Sequence, residues 1–492
     1  MHTAADWTGV AAGLTHPTGL YLDGGFTDPV DGASLPVVSP RDGAVLAEVA
    51  TAGERDVDRA VASARRAFDH GPWPRLHPRE RAAHLYRLAE LVERDRAQLA
   101  TTIALEMGKP ISDSYGIELA AVVKTFRWYA ELADKTAGEV PGTEPGSLAL
   151  VTREPIGVVA AVVPWNFPLT MAAWKLAPAL AAGCTVVLKP AEQSPLSALH
   201  LAALATEAGL PEGVLGVLNG PGPVTGRALG LHPGVDVVTF TGSTEVGRHF
   251  QRYSADSNLK QVWLELGGKS PNLVFADAPD LDAAADSAAW AIFFNAGQMC
   301  TAGSRLIVQR SVADQVVRRL LERAAEFAPG DPLDPATRMG PLVSAEHLAG
   351  VQRHIERAVD DGARLRAGGG PATGCYLEPT VFDEVRPDMA LAREEVFGPV
   401  LSVLTFDTVE EALNLAQDND YGLAAAVWTR DLGVAHRTSR ELKAGTVWVN
   451  CYEEGDLTVP FGGTKLSGHG RDKSAHALEK FTELKTTWIA LP

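Results

Sequence analysis

The sequence predicts an α/β protein organised on a doubly wound parallel sheet, and three observations carry that prediction. Short apolar runs at 158–163, 185–188, 214–218 and 235–240 read as strands buried on both faces. Helical stretches at 170–182, 195–208 and 224–229 separate them, which is the strand-helix-strand order of a parallel sheet. FTGSTEVG, 240–247, then leaves the last of these runs and opens a helix, where free backbone N–H groups and the positive end of the helix dipole can face a phosphate. Sheets of this type hold ligands at the carboxyl ends of their strands.

Ahead of the sheet, residues 1–50 are rich in Gly, Pro and Asp and read as an extended arm with short strands. The pattern turns helical at 54–68 and again at 77–107, where Leu85, Leu88, Leu91, Val92, Leu99 and Ile103 recur at threes and fours. Helix continues over 112–137, interrupted after it by VPGTEP at 140–145. Residues 147–153 alternate apolar with polar like an exposed edge strand, which invites pairing with another subunit. From 270 to about 443 a second α/β pattern follows, with strands at 305–309 and 400–406. A chain of 492 residues is about three times an ordinary domain, so two or three lobes are expected.

Composition narrows the function. An apolar share of 46% against 21% charged is that of a folded, soluble protein and gives no sign of disorder. The net charge of −17 argues against nucleic acid, whose phosphates demand a basic face, and against an anionic membrane surface. Cys184, Cys300, Cys375 and Cys451 are far apart with no CxxC spacing, so neither a zinc site nor a disulfide framework is expected, and a reducing cytoplasm fits best. The start, MHTAADWTGVAAGL, has no basic stretch before an apolar run, and the longest run, 157–163, is far below the ~18 residues of a membrane span. A cytoplasmic protein without a processed leader is expected. None of the 13 histidines forms an HExxH pattern, so no metal is expected.

The candidate nucleophile is Cys300 in FFNAGQMCTAGSR, 293–305, where Gly297 and Gly303 let the backbone bend and small neighbours leave room for a substrate. A buried structural cysteine is the competing reading. For the phosphate contact, Gly242 and Ser243 in FTGSTEVG are the candidates, although an ordinary Ser/Thr helix cap uses the same residues. GPGPVTG, 220–226, is a weaker cradle, because Thr225 stands at the third glycine position and two prolines stiffen the turn. In KPAEQSP, 189–195, Glu192 suits the 2′- and 3′-hydroxyls of a ribose with Lys189 donating alongside. A 2′-phosphate would be repelled by Glu192, which favours NAD and leaves NADP as a weaker possibility.

PWNFPL, WKLAPAL, KPAEQSP, FTGSTEVG, LELGGKSP, NAGQMCTAGSR, EEVFGPV and PFGGTKLSGHG occur in the order and approximate spacing of the aldehyde dehydrogenase superfamily, from about residue 150 to the end, and the chain resembles that superfamily. The resemblance implies a Rossmann-type NAD-binding domain over 1–138 and 158–266, an α/β catalytic domain over 267–445, a small β oligomerisation element over 139–157 and 471–492, and a substrate-mouth loop over 446–470 that returns to the NAD-binding side. It also implies that Cys300 adds to an aldehyde as a thiolate, that Asn166 and the Cys300 N–H hold the oxyanion, and that Glu265 activates the water opening the thioester. Because CoA-acylating relatives generally lack that base, water is the expected acceptor. Glu395 and Phe397 resemble the pair that orients the nicotinamide half, Trp165 and Gly267 are carried with them, and Gly222 and Pro223 fall beside the adenine. Lys175 and Glu483 resemble positions on a proton path near the base. Ala296 stands where relatives often have glutamine, while Met299 and Thr301 beside the nucleophile shape substrate choice.

For the substrate, NCYEEGDLTVPFGGTK, 450–465, carries Glu453, Glu454 and Asp456 at the implied mouth, where carboxylates concentrate a cation or simply form a solvated acidic loop. Asp456 is the candidate selector, and Trp165, Phe167, Trp174 and Phe461 are candidates for an aromatic tunnel or for core. The tail, GRDKSAHALEKFTELKTTWIAL, looks most like the γ-glutamyl-γ-aminobutyraldehyde and aminoaldehyde dehydrogenase branch used in putrescine breakdown. The expectation is therefore an NAD-dependent dehydrogenase, a homodimer or homotetramer, acting on an amino-substituted aldehyde. A betaine-aldehyde-type or broad-specificity enzyme and a catalytically silent oligomeric scaffold are the alternatives.

Overall fold

The computed structural model describes residues 3–492. The strands Val158–Val162, Thr185–Lys189, Leu215–Val217, Val237–Thr241 and Gln261–Glu265 pair in parallel, with Val158–Val162 in the middle. The chain adds two strands on one side of this central strand and then two on the other, so the order reverses between Val158–Val162 and Val237–Thr241. Helices diverge from the sheet at such a reversal and leave a crevice beyond the strand ends. Antiparallel strands Gly468–His469 and Leu20–Leu22 with Gly25–Thr27 complete eight. Every residue of Val158–Val162, Thr185–Lys189 and Val237–Thr241 is buried, as their unbroken apolar character requires.

A second sheet of seven runs Arg364–Ala367, Thr380–Asp383, Val400–Phe406, Arg305–Gln309, Pro271–Val274, Ala424–Trp428 and Thr446–Val449, parallel except at its first pair. Each sheet has its own apolar core, and Phe167 packs against both. Ser147–Pro155 lies outside these layers and pairs antiparallel along its whole length with Thr482–Ala490. The edge strand anticipated at 147–153 thus finds its partner within its own chain.

Three expectations are corrected. The arm at 1–50 begins with a helix, Ala4–Ala12, started by a capping box of Thr3 with Asp6. The helix expected over 77–107 is two, Pro78–Arg94 and Arg96–Met107, because Asp95 leaves the helical register, pairs with Arg94 and accepts from His200 at 3.1 Å. The helix at the end of 112–137 stops at Leu132.

Candidate functional site

Asn166 leaves the central strand Val158–Val162 and precedes helix Pro168–Ala182, whose first position is proline. The start of that helix is held from outside. Glu118 accepts from the Leu169 and Thr170 N–H groups at 3.1 and 3.2 Å, and its other oxygen pairs with buried Lys109. The Lys109 ammonium also lies 3.6 Å from the Phe167 ring centroid. Asn166 is therefore carried on a clamped turn at the carboxyl edge of the sheet, buried to 5% exposure.

The Cys300 loop is locked to that turn. Asn166 Nδ2 donates to the Gln298 carbonyl at 3.0 Å, while Asn295 Nδ2 donates to the carbonyls of Asn166 and Gln298 at 3.2 and 3.1 Å. Asn295, Ala296 and Gly297 all take positive φ (51°, 55° and 70°), which turns the chain sharply just ahead of Cys300. Gly297 is obligatory there, since a Cβ would lie 2.1 Å from the Gly398 carbonyl oxygen. Cys300 stays partly open to solvent. Burial of the surrounding site and the charges of Glu453, Glu395 and Glu265 push its thiol well above the usual range.

Glu265 ends strand Gln261–Glu265, and both its carboxylate oxygens are buried without a hydrogen-bond partner. Burial, reinforced by Asp472, pushes its pKa well above 4.5, while Lys175, Lys480 and Arg471 oppose the shift. Gly462 makes the closest wall, because a Cβ there would stand 2.6 Å from Glu265 Oε1. A buried carboxyl with no fixed partner is free to take or give a proton, and its charge disfavours an anion at Cys300.

Lys175 is fully buried and meets Asp472 at 2.5 Å, with Lys480 on the other Asp472 oxygen. The acid in this cluster is thus Asp472, and Glu483 stands exposed on strand Thr482–Ala490. The residue pattern misses Asp472 and Lys480 because only folding brings 175, 472 and 480 together. The available signal was Asp472 directly after SGHGR.

At the carboxyl end of strand Thr185–Lys189, Lys189 donates to the Pro190 carbonyl at 3.0 Å and lies 3.7 Å from Glu192, whose Oε1 accepts from the Gly222 N–H at 2.5 Å. Pro223 is exposed beside it. Gly242 and Ser243 follow strand Val237–Thr241, and the Ser243 hydroxyl caps helix Thr244–Ala255 by accepting from Val246 at 3.3 Å. Both readings of FTGSTEVG meet there: Ser243 is a helix cap, and the helix start is open. Farther in, Glu395 accepts from the Gly268 N–H at 2.9 Å and fills the space over Gly267, where a Cβ would be 1.9 Å from Glu395 Oε2. Burial raises Glu395 to about 7. Trp165, Phe397 and His347 pack edge to face, Trp165 at 5.4 Å from Phe397 and 5.2 Å from His347. A rim of exposed Pro223, a half-exposed carboxylate at Glu192 and an exposed helix start at Ser243 fits a dinucleotide with an uncharged 2′-position.

On the other side of Cys300, Met299 and Thr301 are buried, and the Tyr452 hydroxyl donates to the Thr301 carbonyl at 2.7 Å. Trp174 and Phe461 pack at 5.2 Å, and Phe167 stacks on Phe294 at 6.3 Å. Asp456 is half exposed, paired with Lys124 at 2.6 Å, and held down to about 2 by that contact. Among the described residues no group of three or more His, Cys, Asp or Glu could hold a metal, and no helix is long and apolar enough to cross a membrane.

The aldehyde dehydrogenase family model matches residues 26–487. The chain is 49% identical over 491 residues to the NADP/NAD-dependent aldehyde dehydrogenase PuuC of Escherichia coli (strain K12), covering 100% of this chain and 99% of that protein. Among solved structures, a mutant of P. syringae AldA indole-3-acetaldehyde dehydrogenase in complex with NAD+ and IAA superposes with a TM-score of 0.99 at 54% identity, covering all of both chains. The γ-glutamyl-γ-aminobutyraldehyde dehydrogenase from Burkholderia cenocepacia J2315 does so with a TM-score of 0.98 at 53% identity, again over all of both chains.

Proposed function

The chain belongs to the aldehyde dehydrogenase family and is an NAD(P)-dependent aldehyde dehydrogenase; from that premise we propose that its substrate is an ω-amino or γ-glutamylamino aliphatic aldehyde of polyamine catabolism. The observation that carries the chemistry is Glu265, a buried carboxyl with no partner whose charge acts on the Cys300 thiol. Glu265 takes the thiol proton, and the Cys300 sulfur adds to the aldehyde carbon to give a thiohemiacetal. Asn166 Nδ2 and the Cys300 N–H stabilise the oxygen that becomes negative, and loss of one such donor costs roughly 3 to 4 kcal/mol of barrier. When bound, the nicotinamide supplies the hydride acceptor. Glu265 then deprotonates the water that opens the Cys300 thioester and releases the acid. The buried Lys175–Asp472–Lys480 cluster carries the proton away from Glu265.

For the cofactor, Lys189, Glu192, Gly222, Pro223, Gly242 and Ser243 hold the adenosine and phosphate half, and Trp165, Gly267, Glu395 and Phe397 the nicotinamide half. Glu192 on the open rim supports NAD over NADP. The NAD+ in the AldA complex and the NADP/NAD dependence of PuuC agree with these two. Sheet membership supports an NAD-binding domain over 1–138 and 158–266 and a catalytic domain over 267–445. The paired strands near 147–155 and 482–490, with exposed Leu484 and Trp488, support an oligomerisation element.

The amino-aldehyde reading draws on PuuC and the Burkholderia structure. A second reading, a broader enzyme that accepts arylacetaldehydes, has the Trp174–Phe461 pair and the similarity to AldA in its favour. NADH absorbance with γ-glutamyl-γ-aminobutyraldehyde, 3-aminopropanal, betaine aldehyde, indole-3-acetaldehyde and hexanal separates them. We expect an amino-substituted aldehyde to lead hexanal by about tenfold or more in kcat/KM. First place for betaine aldehyde, indole-3-acetaldehyde or hexanal would sink the reading.

A further inference from the structure

Glu453 is the one member of the acidic mouth loop that turns inward. It is a non-glycine residue held at a φ of 59°, and its Oε1 is buried with no hydrogen-bond partner. Tyr452, directly before it, donates to the Thr301 carbonyl at 2.7 Å, which fixes the loop against the residue that follows Cys300. Of the three carboxyl groups that act on the Cys300 thiol, Glu453 has the largest effect, ahead of Glu395 and Glu265. Its neighbours in the loop face elsewhere: Glu454 is exposed, and Asp456 is committed to Lys124. The charged group opposite is Lys473, packed 5.7 Å from the Trp174 ring centroid and making no salt bridge with Glu453.

A buried carboxyl oxygen without a donor is costly unless something arrives to satisfy it. The mechanism has no use for it, because Glu265 already serves as base. We propose that Glu453 is the specificity-determining residue of this site, accepting a hydrogen bond from the primary ammonium of a short ω-amino aldehyde whose carbonyl carbon lies at Cys300. The loop is thus held against the neighbour of Cys300, which suits a short amino aldehyde rather than a long one. Burial raises the Glu453 carboxyl to about 7, with Thr301 and Lys473 opposing the shift. This rests on the dehydrogenase reading and replaces Asp456 with Glu453 as the selector.

Paired rates with 3-aminopropanal and butanal, which differ by an ammonium in place of a methyl, read the contact directly. For the unmodified protein kcat/KM is expected to be at least about tenfold higher with 3-aminopropanal. Glu453→Gln should bring that ratio close to one, mainly through KM, while Glu453→Asp keeps most of it and Asp456→Asn changes it less than about twofold. The ratio in the unmodified protein is informative whether or not a variant folds. A preference for butanal, or a tenfold ratio that survives Glu453→Gln, overturns the inference while leaving the dehydrogenase reading intact. Inactivity toward both aldehydes overturns the inference, and NADH formation with the other aldehydes of the panel tells that failure from a failure of the dehydrogenase reading.

Discussion

A carboxyl group kept from water with neither oxygen paired has a titration set by its surroundings, and Glu265 is in that position. Its pKa in the folded chain lies above the ordinary 4.5, first because of burial and then because of Asp472. The folded state therefore holds the proton to higher pH than the unfolded state does. Below the unfolded value both forms are protonated and nothing is gained or lost. As pH rises past it, burial of this group costs stability up to the folded pKa. Glu265→Gln should accordingly raise the melting temperature at pH 7 to 8 and leave it unchanged near pH 4. The same substitution removes the base for the thiol as well as for the water, so it should leave one slowed burst of NADH and then an acyl adduct on Cys300 visible by mass spectrometry. In the unmodified protein the steady rate should climb with pH as the base loses its proton. Sustained turnover by the Gln variant would remove Glu265 as the base. At this scale the residue pattern already singled out Cys300, Glu265 and Asn166, since each sits in a short motif between recognisable elements. It could not separate Glu453 from Asp456, because both are acids in one loop and only the direction of the chain at each decides which faces inward.

Between residue and sheet, the loops after the strands work by close approach. Gly267 leaves no gap under Glu395: a methyl there would lie 1.9 Å from Oε2, so Gly267→Ala must displace the carboxylate. We expect KM for NAD to rise about tenfold while KM for the aldehyde moves less. Equal changes in both would mean that Glu395 does not serve the cofactor. Helix Pro168–Ala182 depends in the same way on Glu118, which reaches its first N–H groups from 50 residues upstream while paired with Lys109. Strands at 305–309 and 400–406 were legible to the residue, because a run of apolar side chains bounded by polar ones is a property of neighbours in sequence. The break at Asp95 was not, since the His200 that holds it lies in another helix.

For the whole molecule, the exposed face of strand Thr482–Ala490 is the feature that a single chain leaves without an explanation. Trp488 is 63% exposed and Leu484 62%, unusual for residues of this size on a paired strand. Sedimentation should show an oligomer, and Trp488→Asp should lower its mass while leaving the fold's circular dichroism intact; an unchanged mass would remove this strand from the interface. The helix Ala4–Ala12 was hidden in an arm read by its overall composition, although Thr3 and Asp6 already spelled its cap. Motif order and the alternation of apolar runs with helical stretches were enough to specify an α/β chain and its family and to single out Cys300 as the candidate nucleophile, because periodicity and turn chemistry act between near neighbours. Packing alone chose Asp472 over Glu483 as the acid beside Lys175, turned Glu453 inward, and gave strand Ser147–Pro155 a partner within its own chain. Those outcomes depend on which groups the fold brings within a few ångströms, and hundreds of residues of chain separate some of them.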